Sequence, residues 1–279
     1  MFIYANGDSH IAGSELGDFL LPGYPGPRDF GSEPTTYTKH WVNQLYTPPS
    51  NEMAAIPGLR KKRDELRNKI SFEEKTKNLI HKTSQLLGVE YYNNALGGSG
   101  NTRIIRTSIV DLIELKKTKK NINAVISLSD SMRLELPSPV PSSNWLHLQA
   151  HNLNAFKDLF KEGSPESAVI KHYVMCTTAY NKLIWLYMNI IALQDFCTAN
   201  GIKLHWVCSI NNPVEILRSD PCLKHDEELL TLASYANFNP IIKMHHIARK
   251  IKVNTINPGF HYSEIVHQIA AMSLAAILR

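Results

Sequence analysis

Short apolar runs alternate with segments of helical spacing along the chain, and this alternation constrains the fold more than any other feature. Runs rich in β-branched and aromatic residues predict five strands, at residues 2–5, 89–93, 122–128, 203–210 and 251–254. Apolar residues at helical spacing predict helices at residues 52–87, 101–117, 145–161, 166–200 and 263–278. Strands that alternate with helices pair in parallel through right-handed crossovers. We therefore predict an α/β fold whose parallel sheet is covered on both faces.

The size and composition of the chain agree with one large globular domain. Its 279 residues are 43% hydrophobic and 20% charged, which is enough apolar material for a sizeable core. Stretches rich in Pro, Gly and Ser at residues 21–49 and 137–144 predict surface loops. We predict a single domain at residues 1–279, with insertions at about 20–75 and 137–165.

The positive charge of the chain is scattered, at a formal net charge of +5. The densest basic segment, residues 60–69, carries six Lys and Arg residues beside Asp64 and Glu65. This pattern is typical of a solvated helix face with paired charges, and a nucleic-acid patch is the alternative. We expect no nucleic-acid partner.

Cysteine and histidine spacing gives no sign of a metal site. The four cysteines contain no Cys-x-x-Cys pair, and the adjacent His245 and His246 do not share a helix face. We therefore expect neither a metal nor a cofactor. The first predicted strand begins at the N-terminus, and the longest apolar stretch, residues 183–193, is too short to cross a bilayer. We expect a cytoplasmic protein with no signal peptide, no transmembrane segment and no membrane partner.

The segment Gly7-Asp8-Ser9-His10-x-x-Gly13 follows the first strand directly. Side chains at this position lie at the carboxyl edge of the sheet, where open α/β folds bind their ligands. The segment resembles the first sequence block of the SGNH (GDSL-type) hydrolases. The resemblance implies a flavodoxin-like three-layer α/β/α fold with a five-stranded, mostly parallel sheet, and it implies that Ser9 is a nucleophile.

The second block of this family resembles Asn94-x-x-x-Gly98, which follows the second predicted strand. The resemblance implies that the Gly98 N–H donates to an oxyanion, and glycine lets the backbone approach closely. A phosphate-binding loop at residues 97–101 and an ordinary tight turn are the alternatives. Asn101, three residues on, is a candidate for substrate binding.

The third block departs from the family pattern Gly-x-Asn-Asp, because the chain reads Ser127-Leu-Ser129-Asp. Ser129 takes the place of the Asn and could donate to the oxyanion through its hydroxyl. Arg133 follows closely and either binds an acidic group of the substrate or pairs with Glu135. The resemblance thus implies three oxyanion donors, namely the Ser9 and Gly98 N–H groups and Ser129.

The last block resembles Gly259-Phe-His261-x-Ser, and it implies that His261 is the general base. The Asp that the family places two or three residues earlier is missing, since residues 258 and 259 are Pro and Gly. If His261 is the base, a backbone carbonyl, a water or a carboxylate from elsewhere in the chain could orient it. A Ser-His dyad is then physically adequate, because the third member of a triad orients the base and does not accept the proton. We expect His267, inside the following helix, to be structural.

These motifs favour a serine esterase that acts on an ester-linked acyl group. The variant pattern is similar to hydrolase-like proteins of phage and bacterial glycan contexts, which implies a small-molecule or glycan ester substrate such as an O-acetylated carbohydrate. Asp8, His10, Asn101 and Arg133 are the candidate substrate-binding residues. An acyltransferase, or a binding or structural protein with an eroded site, are the alternatives, and the oligomeric state stays open.

Overall fold

The computed structural model describes residues 1–14, 16, 27, 29, 59–97, 99–129, 133–137, 145–149, 168, 178–209, 213–256 and 261–279. Their strands are, in chain order, β1 (Phe2–Asn6), β2 (Glu90–Asn93), β3 (Ile122–Leu128), β4 (Arg133–Pro137), β5 (Trp145–Gln149), β6 (Lys203–Cys208) and β7 (Ile242–Lys243). Their helices are α1 (Ser9–Ala12), α2 (Leu59–Lys77), α3 (Leu79–Leu87), α4 (Asn101–Lys116), α5 (Ala179–Ala199), α6 (Pro213–Ser219), α7 (Glu227–Ala236), α8 (Met244–Ile251) and α9 (Glu264–Leu278).

Five strands form one parallel sheet in the order β2-β1-β3-β6-β7. In its centre, Tyr4 of β1 pairs with Ala124 of β3, and Val125 of β3 pairs with His205 of β6. Strand β2 lies on one side of β1, and the later strands β3, β6 and β7 follow one another on its other side. This is the strand order of flavodoxin-like folds. The predicted fold class, a flavodoxin-like α/β fold with a five-stranded sheet, is confirmed.

Strands β1 and β3 carry the apolar sequences FIYAN and INAVISL, and every one of their residues is buried. A strand that is exposed on one face alternates between apolar and polar residues, whereas a strand covered on both faces is apolar almost throughout. The sequences of these two strands therefore agree with their burial. Residue 7 follows directly after the buried strand β1.

The chain divides into two compact units. The first comprises Met1–Asp8 and Tyr92–Ile241, and the second comprises Ser9–Tyr91 and Ile242–Arg279. In the first unit, α4 and α5 pack against each other, α4 packs on β1 and β3, and α5 packs on β6. In the second unit, α9 packs against α3 and α8. The prediction of a single domain with two insertions stays a prediction.

Four predicted elements are wrong in extent or type. The helix predicted at 52–87 is divided into α2 and α3, because Asn78 adopts an extended conformation and caps α3. Residues 145–149 form strand β5, antiparallel to β4, where the pattern predicts a helix; apolar and polar residues alternate in LHLQ, and this period of two suits a strand. The helix predicted at 166–200 is interrupted at Thr178, which adopts an extended conformation and caps the start of α5; apart from residue 168, residues 166–177 lie outside the described residues. The strand predicted at 251–254 is absent, since Lys252 and Asn254 have positive φ.

The fifth strand of the sheet is β7, a segment of two residues that leads directly into α8. So short a strand has no periodicity of its own, which is why the sequence pattern did not reveal it. Within the described ranges there is no helix with the length and apolar character that crossing a membrane requires.

Candidate active site

Ser9 is the first residue of α1, a helix of one turn that begins three residues after β1 ends. Its carbonyl accepts hydrogen bonds from the backbone N–H groups of Gly13, at 3.1 Å, and Ser14, at 2.9 Å. Gly13 ends the helix with a φ of 84°, a left-handed conformation that glycine adopts without strain. Ser9 is therefore held by a closed turn, and its side chain is 6% exposed.

Gly13 is required for a second reason, which is close packing in the second unit. A Cβ atom at this position would lie 2.5 Å from the Glu74 carbonyl oxygen and 2.8 Å from Asn78 Cβ. Asn78 cannot move aside, because its Oδ1 accepts from the N–H groups of Ile80 and His81 and so caps α3. The last glycine of the first motif thus seats the turn of Ser9 against the junction between α2 and α3.

His261 reaches the Ser9 hydroxyl. Its Nε2 lies 2.7 Å from Ser9 Oγ, although 252 positions separate the two residues in the chain. When the imidazole carries its hydrogen on Nδ1, Nε2 is the acceptor and the Ser9 hydroxyl donates to it. A serine hydroxyl at this distance from an imidazole nitrogen has the geometry of a nucleophile and its general base. The two residues that the first and last motifs single out are therefore in contact.

The backbone around His261 is shaped by hydrogen bonds across the segment between α8 and α9. Ser263 donates its N–H to the Thr255 carbonyl at 2.8 Å and its hydroxyl to the Asn254 carbonyl at 2.7 Å. The Ser263 side chain is thus used in the segment and does not cap α9, although Ser263 is the residue that precedes the helix. Residues 257–260, which include the positions of the missing Asp, lie outside the described residues.

This segment begins with an unusual turn at Lys252, where φ is 67° and ψ is −51°. The N–H of Val253 donates to the Ile251 carbonyl at 2.9 Å across it. These values define a γ-turn of the rarer hand, in which a residue with a Cβ is strained. Asn254 follows with a φ of 51°, which asparagine tolerates better than most residues.

His10 lies beside the Ser9–His261 pair and is 8% exposed. Its ring centroid is 4.9 Å from that of His261 and 4.9 Å from that of Tyr262, at interplanar angles of 46° and 44°. The dipeptide Ser9-His10 therefore contacts the dipeptide His261-Tyr262 twice over, by one hydrogen bond and by ring packing. The sequence motifs gave no indication of a role for Tyr262.

His267 is structural, as its place inside α9 predicts. Its Nδ1 accepts a hydrogen bond from the Leu79 N–H at 3.0 Å, in the first turn of α3, where backbone N–H groups lack helical partners. Burial, and then the neighbouring His261, lower the pKa of His267 to about 3. With this pKa the ring is neutral at physiological pH. Because Nδ1 is the acceptor, the hydrogen of the neutral ring is on Nε2.

In the first unit, Asn101 binds the main chain of Ser129 with both ends of its carboxamide. Its Oδ1 accepts from the Ser129 N–H at 2.7 Å, and its Nδ2 donates to the Ser129 carbonyl at 3.1 Å. The Ser129 hydroxyl accepts from Arg133 Nη1 at 3.1 Å. Because an arginine only donates, this contact leaves the hydrogen of the Ser129 hydroxyl to donate elsewhere. Gly98 lies outside the described residues.

Asp8, also in the first unit, is fully buried among polar partners. Its carboxylate lies 4.0 Å from Arg133 Nη1 and accepts from the Ser209 hydroxyl at 3.4 Å. The Ser209 hydroxyl in turn lies 2.9 Å from that of Ser127. Asp8, Asn101 and Arg133 thus bind protein groups in this structure. Their prediction as substrate-binding residues stays a prediction.

A second polar network fixes the end of β1, and sequence reasoning missed it. Asn6 Nδ2 donates to Tyr4 Oη at 3.1 Å and to Thr107 Oγ1 at 2.8 Å, and Tyr4 donates to Asp111 at 2.9 Å. Burial raises the pKa of Tyr4 far above its usual range, so the phenol remains a donor. Asn6 Oδ1 accepts from the Gly7 N–H at 2.9 Å. The one feature of the sequence that could have indicated this network is the asparagine at the end of an otherwise apolar strand.

Comparison with known proteins returns solved structures only: no family model matches the chain, and no curated protein matches it. The chain is similar to a lipolytic protein of the G-D-S-L family from Desulfitobacterium hafniense DCB-2, at 10% sequence identity and a TM-score of 0.43. That match covers 99% of this chain and 98% of the other. The first motif, at residues 7–13, resembles the same family.

Two esterases are also similar in fold. One is the acetyl xylan esterase Est2A from the rumen bacterium Butyrivibrio proteoclasticus, at 13% identity and a TM-score of 0.46, over 100% of this chain and 63% of that chain. The other is a Corynascus thermopiles carbohydrate esterase of family 2 with a carbohydrate binding domain, at 11% identity and a TM-score of 0.43, over 99% of this chain and 65% of that chain. The chain spans about two thirds of each. Its structural neighbours are thus esterases and GDSL-type lipolytic proteins.

Proposed function

We propose that the chain is a serine esterase that hydrolyses an ester-linked acyl group, with Ser9 as nucleophile and His261 as general base. The observation that carries the proposal is the 2.7 Å contact between Ser9 Oγ and His261 Nε2. Any buried hydroxyl needs an acceptor, and the acceptor in contact with Ser9 is an imidazole nitrogen, which can also take its proton. Geometry is the first test of a general base, and this pair satisfies it.

The two side chains suffice for both halves of ester hydrolysis. Ser9 Oγ attacks the carbonyl carbon while its proton passes to His261 Nε2, and the carbonyl electrons move to oxygen. The tetrahedral intermediate collapses with release of the alcohol, which takes the proton from His261. Water then repeats the sequence on the acyl-serine and frees the acid. An acceptor alcohol in place of water would make the same residues an acyltransferase.

The oxyanion donors that we propose are the backbone N–H groups of Ser9 and Gly98 and the hydroxyl of Ser129. For Ser129 the proposal concerns the hydroxyl alone, because its backbone N–H already donates to Asn101. The hydroxyl accepts from the cationic Arg133, which polarises it toward donation. Removal of one oxyanion donor lowers kcat by about 10²–10³-fold in the best-studied case.

For the substrate we propose an O-acyl group on a carbohydrate, with acetyl as the first group to test. This choice rests on the sequence pattern of residues 7–13, 98–104 and 260–263, which is similar to hydrolase-like proteins of glycan contexts. A screen of acetylated oligosaccharides, with release of acetate as the readout, tests it. Activity on simple esters without activity on any acetylated glycan would remove the carbohydrate from the proposal and leave the esterase.

Hydrolysis of p-nitrophenyl acetate by the wild type, Ser9→Ala and His261→Ala tests the catalytic pair. We expect each variant to lose at least about 10³-fold in kcat. The matched controls are Ser273→Ala and His225→Ala. The Ser273 hydroxyl donates to the Ile269 carbonyl within α9, and His225 is exposed. Turnover that survives in Ser9→Ala would disprove the proposal. A wild type that neither turns over esters nor reacts with a fluorophosphonate at Ser9 would favour the eroded binding protein.

A further inference from the structure

The dipeptides Ser9-His10 and His261-Tyr262 contact each other, but the proposed reaction uses only Ser9 and His261 and gives His10 and Tyr262 no role. Ser9 contacts His261 through a hydrogen bond, and the His10 ring packs against those of His261 and Tyr262 at equal centroid distances of 4.9 Å. All four residues belong to the second unit. The residue that follows the nucleophile therefore packs directly against the base.

We propose that His10 is a positioning residue for the general base: its ring holds the His261 imidazole in the orientation that bonds Ser9 and stabilises the imidazolium formed during the attack. The inference rests on the proposed function. In a full triad a carboxylate performs both tasks. The sequence provides Pro258 and Gly259 at the positions where the related family has that carboxylate.

The orienting effect follows from the packing. Because His10 is 8% exposed and contacts the rings of two consecutive residues, it restricts the rotation of His261 about its side-chain bonds. The backbone supports this arrangement, since α1 closes on Gly13 and fixes residue 10 together with residue 9. A base that is already oriented loses no rotamer freedom when the substrate binds.

The electrostatic effect follows from the ring itself. A cation that lies over the face of an aromatic ring, within about 6 Å of its centroid, is attracted by the ring quadrupole, and the attraction grows when water is excluded. The centroids of the His261 and His10 rings are 4.9 Å apart, and the two rings are tilted by 46°. On this proposal a neutral aromatic ring at position 10 favours the charged form of His261, which exists only after the proton transfer. The effect should appear in kcat and leave KM unchanged.

Three substitutions at residue 10 separate the ring from the other properties of histidine. His10→Phe keeps a ring of similar size, His10→Leu keeps apolar volume without a ring, and His10→Asn keeps a polar group without a ring. At pH 8 we expect His10→Leu and His10→Asn to lose about 3- to 30-fold in kcat for p-nitrophenyl acetate, with KM within about twofold. We expect His10→Phe to recover most of that loss.

Other outcomes would overturn the inference. If His10→Phe loses as much as His10→Leu, the nitrogen atoms matter and the ring does not. If KM rises while kcat holds, His10 binds substrate instead, and if all three variants stay within twofold of the wild type it has no role. Thermal unfolding checks each variant, and His10→Asn decides if His10→Leu does not fold. Ser9→Ala and His261→Ala, run alongside, show whether the esterase proposal itself fails.

Discussion

Ser9 and His261 are joined by a hydrogen bond, but their backbones have different conformations and are held in different ways. Ser9 lies on a closed helical turn whose last residue, Gly13, has a left-handed φ that suits glycine and packs where no side chain fits. His261 lies in a segment that begins with a strained γ-turn at Lys252. Close packing holds Ser9, the proposed nucleophile, whereas hydrogen bonds across a segment that begins with a strained γ-turn hold the backbone near His261, the proposed base.

The difference shows where the tolerance of this site to sequence change lies. Close packing around Ser9 demands particular residues at particular spacings, so it produces a recognisable motif. A segment held by backbone hydrogen bonds accepts many sequences, so His261 is marked by little more than the histidine itself. The substitutions below test this contrast, which predicts large losses of stability on the Ser9 side and small changes, some of them gains, on the His261 side.

Gly13→Ala should have the largest effect on stability. The new Cβ would lie 2.5 Å from the Glu74 carbonyl oxygen, at a φ of 84°. We expect a loss of about 3–5 kcal/mol in the free energy of unfolding, measured by urea denaturation. Gly88→Ala is the matched control, because Gly88 has a φ of 65° with nothing within 4 Å of a Cβ. It should lose about 1–2 kcal/mol from backbone strain alone. Equal losses would contradict the packing argument.

His267 should make the fold sensitive to acid, because its pKa is about 3 in the folded chain. In the unfolded chain the pKa is about 6.5. Above pH 6.5 both states are neutral. Between pH 6.5 and 3 only the unfolded state binds the proton, so the free energy of unfolding falls by up to about 1.4 kcal/mol per pH unit.

His267→Gln tests this origin of the acid sensitivity, since its amide oxygen can still accept from the Leu79 N–H and does not titrate. We expect a shallower slope of unfolding free energy between pH 7 and 4. His225→Gln removes an exposed histidine as the control and should keep the wild-type slope. An unchanged slope in His267→Gln would show that other groups cause the acid sensitivity.

The same contrast explains how much could be predicted from the sequence. Strands β1 and β3 were predictable because their local composition encodes burial on both faces, and the position of Ser9 just beyond β1 was predictable because its motif follows that strand directly. The two-residue strand β7 was not, since it is too short for a periodic pattern, and the positive φ of Lys252 was not, since residues other than glycine seldom adopt that conformation. The contact between His10 and Tyr262 was equally hidden, because no periodic pattern brings residues so far apart in the chain together.

Lys252→Gly should stabilise the fold, in contrast to the loss at Gly13. Glycine relieves the strain of the γ-turn, which costs about 1–3 kcal/mol for other residues, but it loses more backbone entropy on folding. We expect a net gain of about 1 kcal/mol in the free energy of unfolding. Asn254→Gly is the control, and we expect it to be neutral or slightly destabilising, since asparagine tolerates its φ of 51°. A loss of stability in Lys252→Gly would place the strain elsewhere.

Glu264→Gln should have the smallest effect, although Glu264 lies three residues from His261. Its carboxylate pairs with Lys82 at 2.9 Å and Lys77 at 3.2 Å, but it is 48% exposed. Burial raises its pKa, yet the two lysines outweigh burial and the pKa is lowered, so the pairing stabilises the fold above about pH 4.5 and fades below it. We expect a loss of about 0.5–1 kcal/mol at low salt.

Salt and a second ion pair decide whether that loss comes from Glu264 charge pairing. In 1 M salt, charges near the surface are screened, so Glu264→Gln and the wild type should unfold at nearly the same urea concentration. Glu114→Gln removes the more exposed pair with Lys117 and should lose only about 0.3 kcal/mol. If Glu264→Gln still lowers the free energy of unfolding in 1 M salt, the Glu264 side chain stabilises the His261 segment by packing and not by its charge. The backbone of the His261 segment would then be held by packing as that of Ser9 is, and the contrast between the two backbones would not stand.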